Sequence, residues 1–370
     1  MPVMKHRHLD GDRTMVEAMP LLHSATHDDF LLKAYPFDTN RWSGHAEAIS
    51  HWFLEGGLHK NLVEKFKVTT GVMQNPFTIF YAVKNFVVIN GRRGFCGEFI
   101  IAPQYHVFGD ACCPQGTLTE KDVMNIVIKG IKAGEKQLKK EGVNTTFNVW
   151  WGIGREVSPE EAVRLTRVAL EYDPDDVLGI SLVCHEPSAP PEKFVDAFRL
   201  AKREKRKTAC HVEWVKDRKE NEKDTPDKIH RNFQEDLPQL TKNLTTAIFD
   251  LDVDQIDHGF GLAENPELMK VVADKGTVVT VCPGSLLTTR LINNIKMLKI
   301  REMLDAGILL CWDVDDDICM PAYNQLEQMY REAYAKPPSA ENLDRLKEDL
   351  DKLERNAELA LFGNRKEHKC

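Results

Sequence analysis

Short apolar runs alternate with longer amphipathic segments along most of the chain. Each run is bounded by Gly, Pro or charged residues and is apolar nearly throughout, which is typical of strands buried on both faces. An N-terminal run, residues 3–8, is predicted to supply an eighth strand. The seven other predicted strands are 97–101, 147–151, 177–183, 208–212, 255–258, 277–281 and 308–312.

The segments between these runs are predicted to be helices. The stretch Ser158-Pro159-Glu160-Glu161 offers an N-cap, a Pro at the first helical position and a Glu at the third. Similar helix starts occur at Thr119 and Pro190. Repeated strand–helix units predict a parallel sheet covered by helices, and eight such units in a chain of this length favour a (β/α)₈ TIM-type barrel. Residues 44–90 and 322–362 are predicted to add extra helices after strand 1 and at the C-terminus.

Composition supports a globular fold and restricts the partners. The 370 residues are 42% hydrophobic and 29% charged, with no internal repeat or low-complexity linker, so we expect one domain over residues 1–370. A net charge of −8 argues against nucleic acid as the main partner. No apolar stretch has the length of a membrane span or a signal region, so we expect a cytoplasmic protein without a membrane partner. The pattern makes no prediction of oligomeric state.

The cysteines indicate reduced thiols. Nine cysteines form an odd count without a framework spacing, and several, such as Cys282 and Cys311, lie inside apolar runs. This distribution is typical of buried thiols in an intracellular protein and not of a disulfide scaffold. We interpret Cys184 and Cys311, which lie near strand ends, as structural and not as nucleophiles.

Histidines and acids fall at several predicted strand ends. His6 and His8 stand two residues apart in a strand, so both imidazoles point the same way. His211 and His258 end two later strands, and the acidic run 313–317 follows the last one. In a barrel all carboxyl ends of the strands open onto one face, and convergent ionisable groups there need an ion or a substrate to organise them. Imidazole and carboxylate ligands suit zinc or a similar divalent ion.

Several short motifs carry a resemblance to a known family. They appear in the same order from residue 3 to about residue 335, so the likeness covers nearly the whole chain. The sequence resembles the adenosine/AMP deaminase family of the amidohydrolase superfamily. The matching segments are His6–Gly11 for the opening His-X-His-Leu-Asp-Gly, Phe99–Gln104, Ser158–Ala162, Asp257–Gly259 for Gly-His-Gly, Val281–Pro283, and Val314–Asp316 for the Asp-Asp strand end.

The resemblance implies a role for individual residues. It makes His6, His8, His211 and Asp315 the ligands of one divalent ion, with Zn²⁺ the expected metal. His258 would orient or deprotonate the water activated by that ion.

The resemblance also implies the substrate contacts. Asp316 would accept a hydrogen bond from a ring nitrogen of the base, and Asp10 would meet a sugar hydroxyl. Cys184 stands where the family has a Gly whose backbone N–H approaches the purine, so it keeps the N–H and adds bulk.

The sequence departs from the family at the expected proton donor. The family motif His-Ala-Gly-Glu is replaced by His211-Val212-Glu213-Trp214, so the carboxylate follows the ligand by two residues instead of three. Two alternatives remain open at this point. Glu213 reaches the purine ring and acts as the acid, or it is a solvated residue and the acid role is lost or moved.

These features predict a metal-dependent hydrolase that removes ammonia from an aminopurine nucleoside, nucleotide or base. One alternative keeps the barrel and the ion but acts on another amine or an amide. A second alternative is a catalytically weak paralogue that binds a nucleoside. The His-X-Glu of the cytidine-type zinc deaminases also matches residues 211–213, but those enzymes need a downstream Pro-Cys-X-X-Cys, which this chain lacks.

Overall fold

Eight parallel strands form one sheet in which the strands follow each other in chain order. The computed structural model describes residues 3–15, 18, 66, 69–109, 113–214, 225–318, 320, 323–335 and 339–362. The predicted positions of seven strands are confirmed to within three residues at either end. The strands are β1 Val3–Met4, β2 Cys96–Ile101, β3 Phe147–Gly154, β4 Val177–Val183, β5 Lys207–His211, β6 Gln255–Asp257, β7 Val278–Val281 and β8 Leu309–Trp312.

Helices connect the strands and cover the outside of the sheet. Six of them begin at residues whose side chains cap the first turn, among them Thr119 and Ser158, as predicted; the others are Asn75, Thr225, Asn265 and Ser339. Within the described residues the α-helices are α1 Pro76–Arg92, α2 Glu120–Lys140, α3 Pro159–Ala169, α4 Val195–Arg203, α5 Pro226–Thr245, α6 Pro266–Lys275, α7 Pro283–Thr288, α8 Ile300–Asp305, α9 Tyr323–Tyr334 and α10 Ala340–Ala360.

The sheet curls until its first and last strands meet. An isolated parallel bridge joins Arg7, beyond β1, to Asp315, beyond β8. Two backbone hydrogen bonds surround this bridge. The N–H of His8 donates to the carbonyl oxygen of Asp315 at 3.4 Å, and the N–H of Asp315 donates to the carbonyl oxygen of His6 at 3.3 Å. The TIM-type barrel predicted from the alternating pattern is therefore confirmed.

The first strand is shorter than the predicted run 3–8. Regular pairing with β2 stops after Met4, and an isolated bridge between His8 and Ile100 resumes it. The interruption has a side-chain cause. The backbone N–H groups of Lys5 and His6 donate to Oδ2 of Asp313, at 2.6 and 3.0 Å, instead of entering a strand ladder.

The end of α10 and the residues after it lie against the end of the barrel opposite the strand carboxyl ends. After α10, the Ala360 carbonyl oxygen accepts from the Lys5 ammonium at 3.0 Å, and the Phe362 N–H donates to Glu98 at 2.6 Å. Lys5 and Glu98 form a fully buried ion pair inside the barrel. The extra helices expected within 322–362 are thus present as α9 and α10. Those expected within 44–90 are present as α1, and residues 44–65 lie outside the described residues.

The cysteine prediction holds only in part. Five described cysteines are not part of a disulfide: Cys113, Cys184, Cys210, Cys282 and Cys311. Cys96 departs from the prediction, since it takes part in a disulfide. No helix in the described part of the chain combines the length and apolarity needed to cross a bilayer.

Candidate active site

Four histidines from three parts of the barrel meet at the carboxyl ends of the strands. His6 and His8 follow β1, His211 ends β5, and His258 follows β6. The centroid of the His6 ring lies 4.6 Å from that of His211 and 4.9 Å from that of His258, and His8 lies 5.3 Å from His211. The structure thus brings the four imidazoles singled out from the sequence together at one place.

Asp315 completes this cluster from the far side of the barrel seam. One of its carboxylate oxygens, Oδ1, lies 3.3 Å from Nε2 of His6 and 3.5 Å from Nε2 of His8. The bridge to Arg7 fixes the Asp315 backbone directly beside the two histidines. His6 and His8, in the segment after β1, therefore share one carboxylate from the segment after β8.

The backbone is strained at several of these strand ends. Four non-glycine residues there have positive φ angles: His258 and Asp315 at 64°, Cys184 at 75° and Trp214 at 51°. Such conformations are costly for residues with a Cβ and persist only where surrounding contacts impose them. The strain lies at the ends of β4, β5, β6 and β8, where the chain turns its side chains into the site.

The Asp257 carboxylate contacts two of the histidine rings, those of His6 and His211. Its Oδ1 lies 2.8 Å from Nδ1 of His6, and its Oδ2 lies 3.8 Å from Nε2 of His211. Asp257 is itself fixed, because Oδ1 accepts from Gln255 Nε2 at 2.7 Å and from Thr280 Oγ1 at 2.8 Å. A carboxylate on the far nitrogen of a ligand histidine fixes the tautomer and the ring orientation.

Burial and neighbouring charges divide the histidines by protonation. Burial lowers the pKa of His8 and of His258 to about 4, and it also lowers the pKa of His211 well below its ordinary value. Burial also acts against protonation of His6, but Asp257 and Asp315 outweigh it and raise the pKa of His6 well above the usual range. Three of the four imidazoles are thus neutral, the form that offers a lone pair to a metal.

The donor set fits a divalent ion. His6, His8 and Asp315 place one ligand atom each within 4.8 Å of one another, and so do His6, His211 and His258. Within the described part of the chain, Nε2 of His211 and both ring nitrogens of His258 are buried without a hydrogen-bond partner. Buried polar atoms of this kind are costly unless something else satisfies them, and imidazole with carboxylate is a ligand set typical of zinc.

The Glu213 side chain lies in the same pocket as the histidines. The sequence alone did not decide between this position and a solvated one. The chain is still paired with β6 at Val212, whose N–H donates to the Asp257 carbonyl oxygen at 2.9 Å. Two residues apart on extended backbone, His211 and Glu213 face the same side. Oε2 of Glu213 lies 3.6 Å from Nε2 of His258. Burial, with Asp315 and Glu186 nearby, raises the pKa of Glu213 to about 8.

The remaining predicted residues line the same mouth. Asp316 is buried against Gly11, where an added Cβ would stand 1.6 Å from Asp316 Oδ1, so only glycine fits. Burial raises the pKa of Asp10 to about 6. Cys184, at the end of β4, places its Sγ 3.5 Å from the Tyr105 hydroxyl. All the residues singled out from the sequence are therefore brought to one end of the barrel.

Three supporting carboxylates were not recognised from the sequence. Asp257 precedes His258, and Glu186 follows Cys184. Asp313 opens the acidic run, and its carboxylate accepts from the backbone of Lys5 and His6. Each stands inside or beside one of the sequence motifs described above, so the sequence shows that a carboxylate is present there. The sequence does not show their partners, since these lie on other strands.

Comparisons with known proteins point to one class. The model of the adenosine deaminase family matches residues 240–367. An adenine deaminase from Psychrobacter cryohalolentis is 30% identical over 210 residues, which is 57% of this chain and 54% of that protein. An adenine deaminase from Schizosaccharomyces pombe is 28% identical over 54% of this chain and 47% of that protein. The chain thus spans about half the length of the curated relatives it matches.

Solved structures resemble the whole chain. An adenine deaminase from Arthrobacter aurescens has a TM-score of 0.67 at 16% identity, covering 98% of this chain and 94% of that one. An amidohydrolase from Burkholderia ambifaria, solved with bound Zn, has a TM-score of 0.68 at 18% identity, covering 98% and 85%. The N6-mAMP deaminase of Arabidopsis has a TM-score of 0.65 at 17% identity, covering 98% and 92%. At these identities the likeness establishes the shared fold.

The chain is a (β/α)₈ barrel with histidines and an aspartate gathered at the carboxyl ends of its strands, and it shares this fold with solved deaminase and amidohydrolase structures. The matched family model and the adenine deaminase relatives show that part of the chain is similar in sequence to adenosine and adenine deaminases.

Proposed function

We propose that this protein is a metal-dependent hydrolase that deaminates an aminopurine, taken as a base, a nucleoside or a nucleotide. The observation that carries the proposal is the position of the Glu213 carboxyl. One of its oxygens lies 3.6 Å from Nε2 of His258, beside two sets of three residues that could each hold a divalent ion: His6, His8 and Asp315, and His6, His211 and His258. The adenine deaminase relatives support the choice of an aminopurine over another amine.

The ion would be held by His6, His8, His211 and Asp315, with Zn²⁺ expected from the imidazole-rich donor set. When bound, a divalent ion supplies an acidified water as the nucleophile of a hydrolysis. Asp257 keeps the His6 ring oriented toward the site through its contact with Nδ1. The buried, neutral rings of His8 and His211 present lone pairs without first losing a proton.

His258 and Glu213 would handle the protons. Nε2 of the neutral His258 faces the pocket and can accept a proton from the attacking water. The Glu213 carboxyl can give its proton to a ring nitrogen of the purine, which makes the neighbouring ring carbon more electrophilic. The His258 side chain is fully buried and that of Glu213 is 17% exposed, so both groups lie largely out of bulk solvent, which strengthens their interactions with the substrate.

Substrate contacts would come from the rim of the pocket. Asp316 would accept a hydrogen bond from the purine, and the backbone N–H of Cys184 would meet the opposite edge of the ring. Asp10 would meet a sugar hydroxyl when the substrate carries one. We propose that one domain, residues 1–370, carries this activity, with a small molecule as its partner, in the cytoplasm.

Metal analysis and a substrate panel test the proposal together. Purified protein is assayed for zinc, iron, manganese and nickel, and then for ammonia release from adenine, adenosine, AMP and their N6-methyl forms. We expect close to one divalent ion per chain and deamination of at least one of these compounds. Stripping the ion with a chelator should abolish the activity, and adding zinc should restore it.

The variant Glu213→Gln tests the proton donor. It should lower kcat by a factor of about 100 or more, because general acid catalysis contributes on that scale, while the metal content stays unchanged. Glu192→Gln serves as a matched control, since Glu192 lies on the surface in an ion pair with Lys242. Full activity of Glu213→Gln would refute the acid assignment. Tight binding of a nucleoside without ammonia release from any compound of the panel would refute the proposed deaminase activity and favour a nucleoside-binding protein.

A further inference from the structure

We infer that Glu186 is a positioning residue that holds the proton donor Glu213 in the site. The inference rests on the proposed function, because it assigns a role within the same deamination. Glu186 lies in the segment that follows β4. The neighbouring strand, β5, ends at His211 and is followed by Glu213. The Glu186 side chain is fully buried and does not itself enter the histidine cluster.

One carboxylate oxygen of Glu186 accepts hydrogen bonds from two consecutive backbone N–H groups. The N–H of Glu213 donates to Oε2 at 2.9 Å, and the N–H of Trp214 donates to the same oxygen at 2.6 Å. Hydrogen bonds to an ionised acceptor are about twice as strong as neutral ones. Glu186 therefore clamps the peptide of the residue that supplies the acid and the peptide that follows it.

The other carboxylate oxygen anchors Glu186 to the scaffold. Asn243, on α5, donates from Nδ2 to Oε1 at 2.8 Å, and Asn243 is itself held by Gln239 at 2.7 Å. Arg155 lies 3.9 Å from Oε1 and donates to the carbonyl oxygen of His211 at 2.6 Å. The clamp is thus tied both to a helix outside the barrel and to the ligand strand β5.

The local backbone explains why a clamp is needed here. In the related family the acid follows the ligand by three residues, whereas here it follows by two. The chain must therefore stay extended through Glu213 and turn at once, and Trp214 makes that turn at a φ of 51°. A tryptophan in this conformation is strained, so without fixed partners the segment would relax and carry Glu213 away. The two hydrogen bonds to Glu186 span this turn.

A reciprocal pair of variants tests the clamp. In Glu186→Gln, the new amide can keep its oxygen toward Glu213 and Trp214 only by turning its NH₂ against the NH₂ of Asn243. The double variant Glu186→Gln/Asn243→Asp gives that NH₂ an acceptor again. We expect the single variant to lower kcat about 10- to 100-fold, the usual effect of losing a residue that supports a catalytic group, with metal content and KM changed little. The double variant should recover most of that loss.

Amide hydrogen exchange gives a readout that does not need activity. The N–H groups of Glu213 and Trp214 should exchange slowly in the wild-type protein and much faster in Glu186→Ala, because the variant removes their acceptor. Glu192→Gln, changed at the surface, should leave both the exchange and the kinetics unchanged. Equal exchange in wild type and Glu186→Ala would overturn the inference.

The two hypotheses fail in different ways. If the wild type deaminates and Glu213→Gln does not, full activity of Glu186→Gln overturns the clamp and leaves the proposed function standing. If the wild type deaminates nothing in the panel, the proposed function fails, and the clamp no longer has a catalytic role. If the wild type deaminates and Glu186→Gln and the double variant are equally impaired, the clamp alone is overturned, because a positioning role requires rescue when the partner is restored.

Discussion

Replacing Asp313 with Asn should destabilise the barrel at its seam. The Asp313 carboxylate is fully buried and accepts four hydrogen bonds. Oδ2 accepts from the N–H groups of Lys5 and His6, at 2.6 and 3.0 Å. Oδ1 accepts from Nε of Arg7 at 3.0 Å and from the N–H of Val314 at 2.8 Å. One side chain thus joins the end of β8 to the segment that carries the first two histidines.

The size of the effect follows from counting donors. An asparagine retains one acceptor oxygen, so its NH₂ must face two of the four N–H groups. Each buried donor left without a partner costs about 1–3 kcal/mol, so two of them cost about 2–6 kcal/mol. Stabilities of native proteins lie at about 5–15 kcal/mol, so the loss is a large fraction of the total.

Urea unfolding of the chelator-stripped protein measures the change without a contribution from bound metal. Asp252→Asn is the matched control, because that aspartate is 54% exposed and pairs with lysines at the surface. We expect the midpoint of Asp313→Asn to fall clearly and that of the control to stay near wild type. A change in unfolding free energy below about 1 kcal/mol would refute the reasoning, since two unpaired buried donors cannot cost so little. If Asp313→Asn does not accumulate as folded protein, slow exchange of the Lys5 and His6 amides in the wild type tests the same contacts.

Three further substitutions have separate expected outcomes. Asp257→Asn weakens the hold on His6 and should lower zinc affinity about 10- to 100-fold in a chelator competition; unchanged affinity would contradict that role. Gly11→Ala displaces the Asp316 carboxyl, so kcat/KM should fall about tenfold or more while the metal is retained, and normal kinetics would argue against a substrate contact there. Ser158→Ala removes the N-cap of α3 and should cost about 1 kcal/mol in urea unfolding with unchanged activity; a loss of activity would show a role beyond capping.

Local patterns in the sequence were sufficient for the frame of the molecule. Strands of a parallel barrel are apolar on both faces, so they stand out as short runs, and Thr119 and Ser158 mark helix starts by their own side chains. The fold then places His211, His258 and Asp315 at one face, because all parallel strands of a barrel share a direction. The cluster could be predicted for that reason.

The tertiary structure alone decided how the cluster is supported. Asp257 contacts His6 across 251 positions in the chain, and no local periodicity encodes the register that brings them to 2.8 Å. The same is true of Asp313, which replaces the expected ladder of β1 with side-chain hydrogen bonds. These contacts depend on how far the sheet curls before it closes.

The position of Glu213 shows most clearly what the sequence determines and what the tertiary structure decides. From the sequence, its spacing from His211 allowed either a residue in the pocket or a solvated one, because the backbone beyond a strand end can turn either way. In the structure, pairing with β6 continues through Val212, and Glu186 from the neighbouring strand accepts the next two N–H groups. The sequence determined which residue types reach the carboxyl face of the barrel. Contacts between strands decided which way the Glu213 side chain points, because the energy that holds a strained turn comes from partners that are distant in the chain.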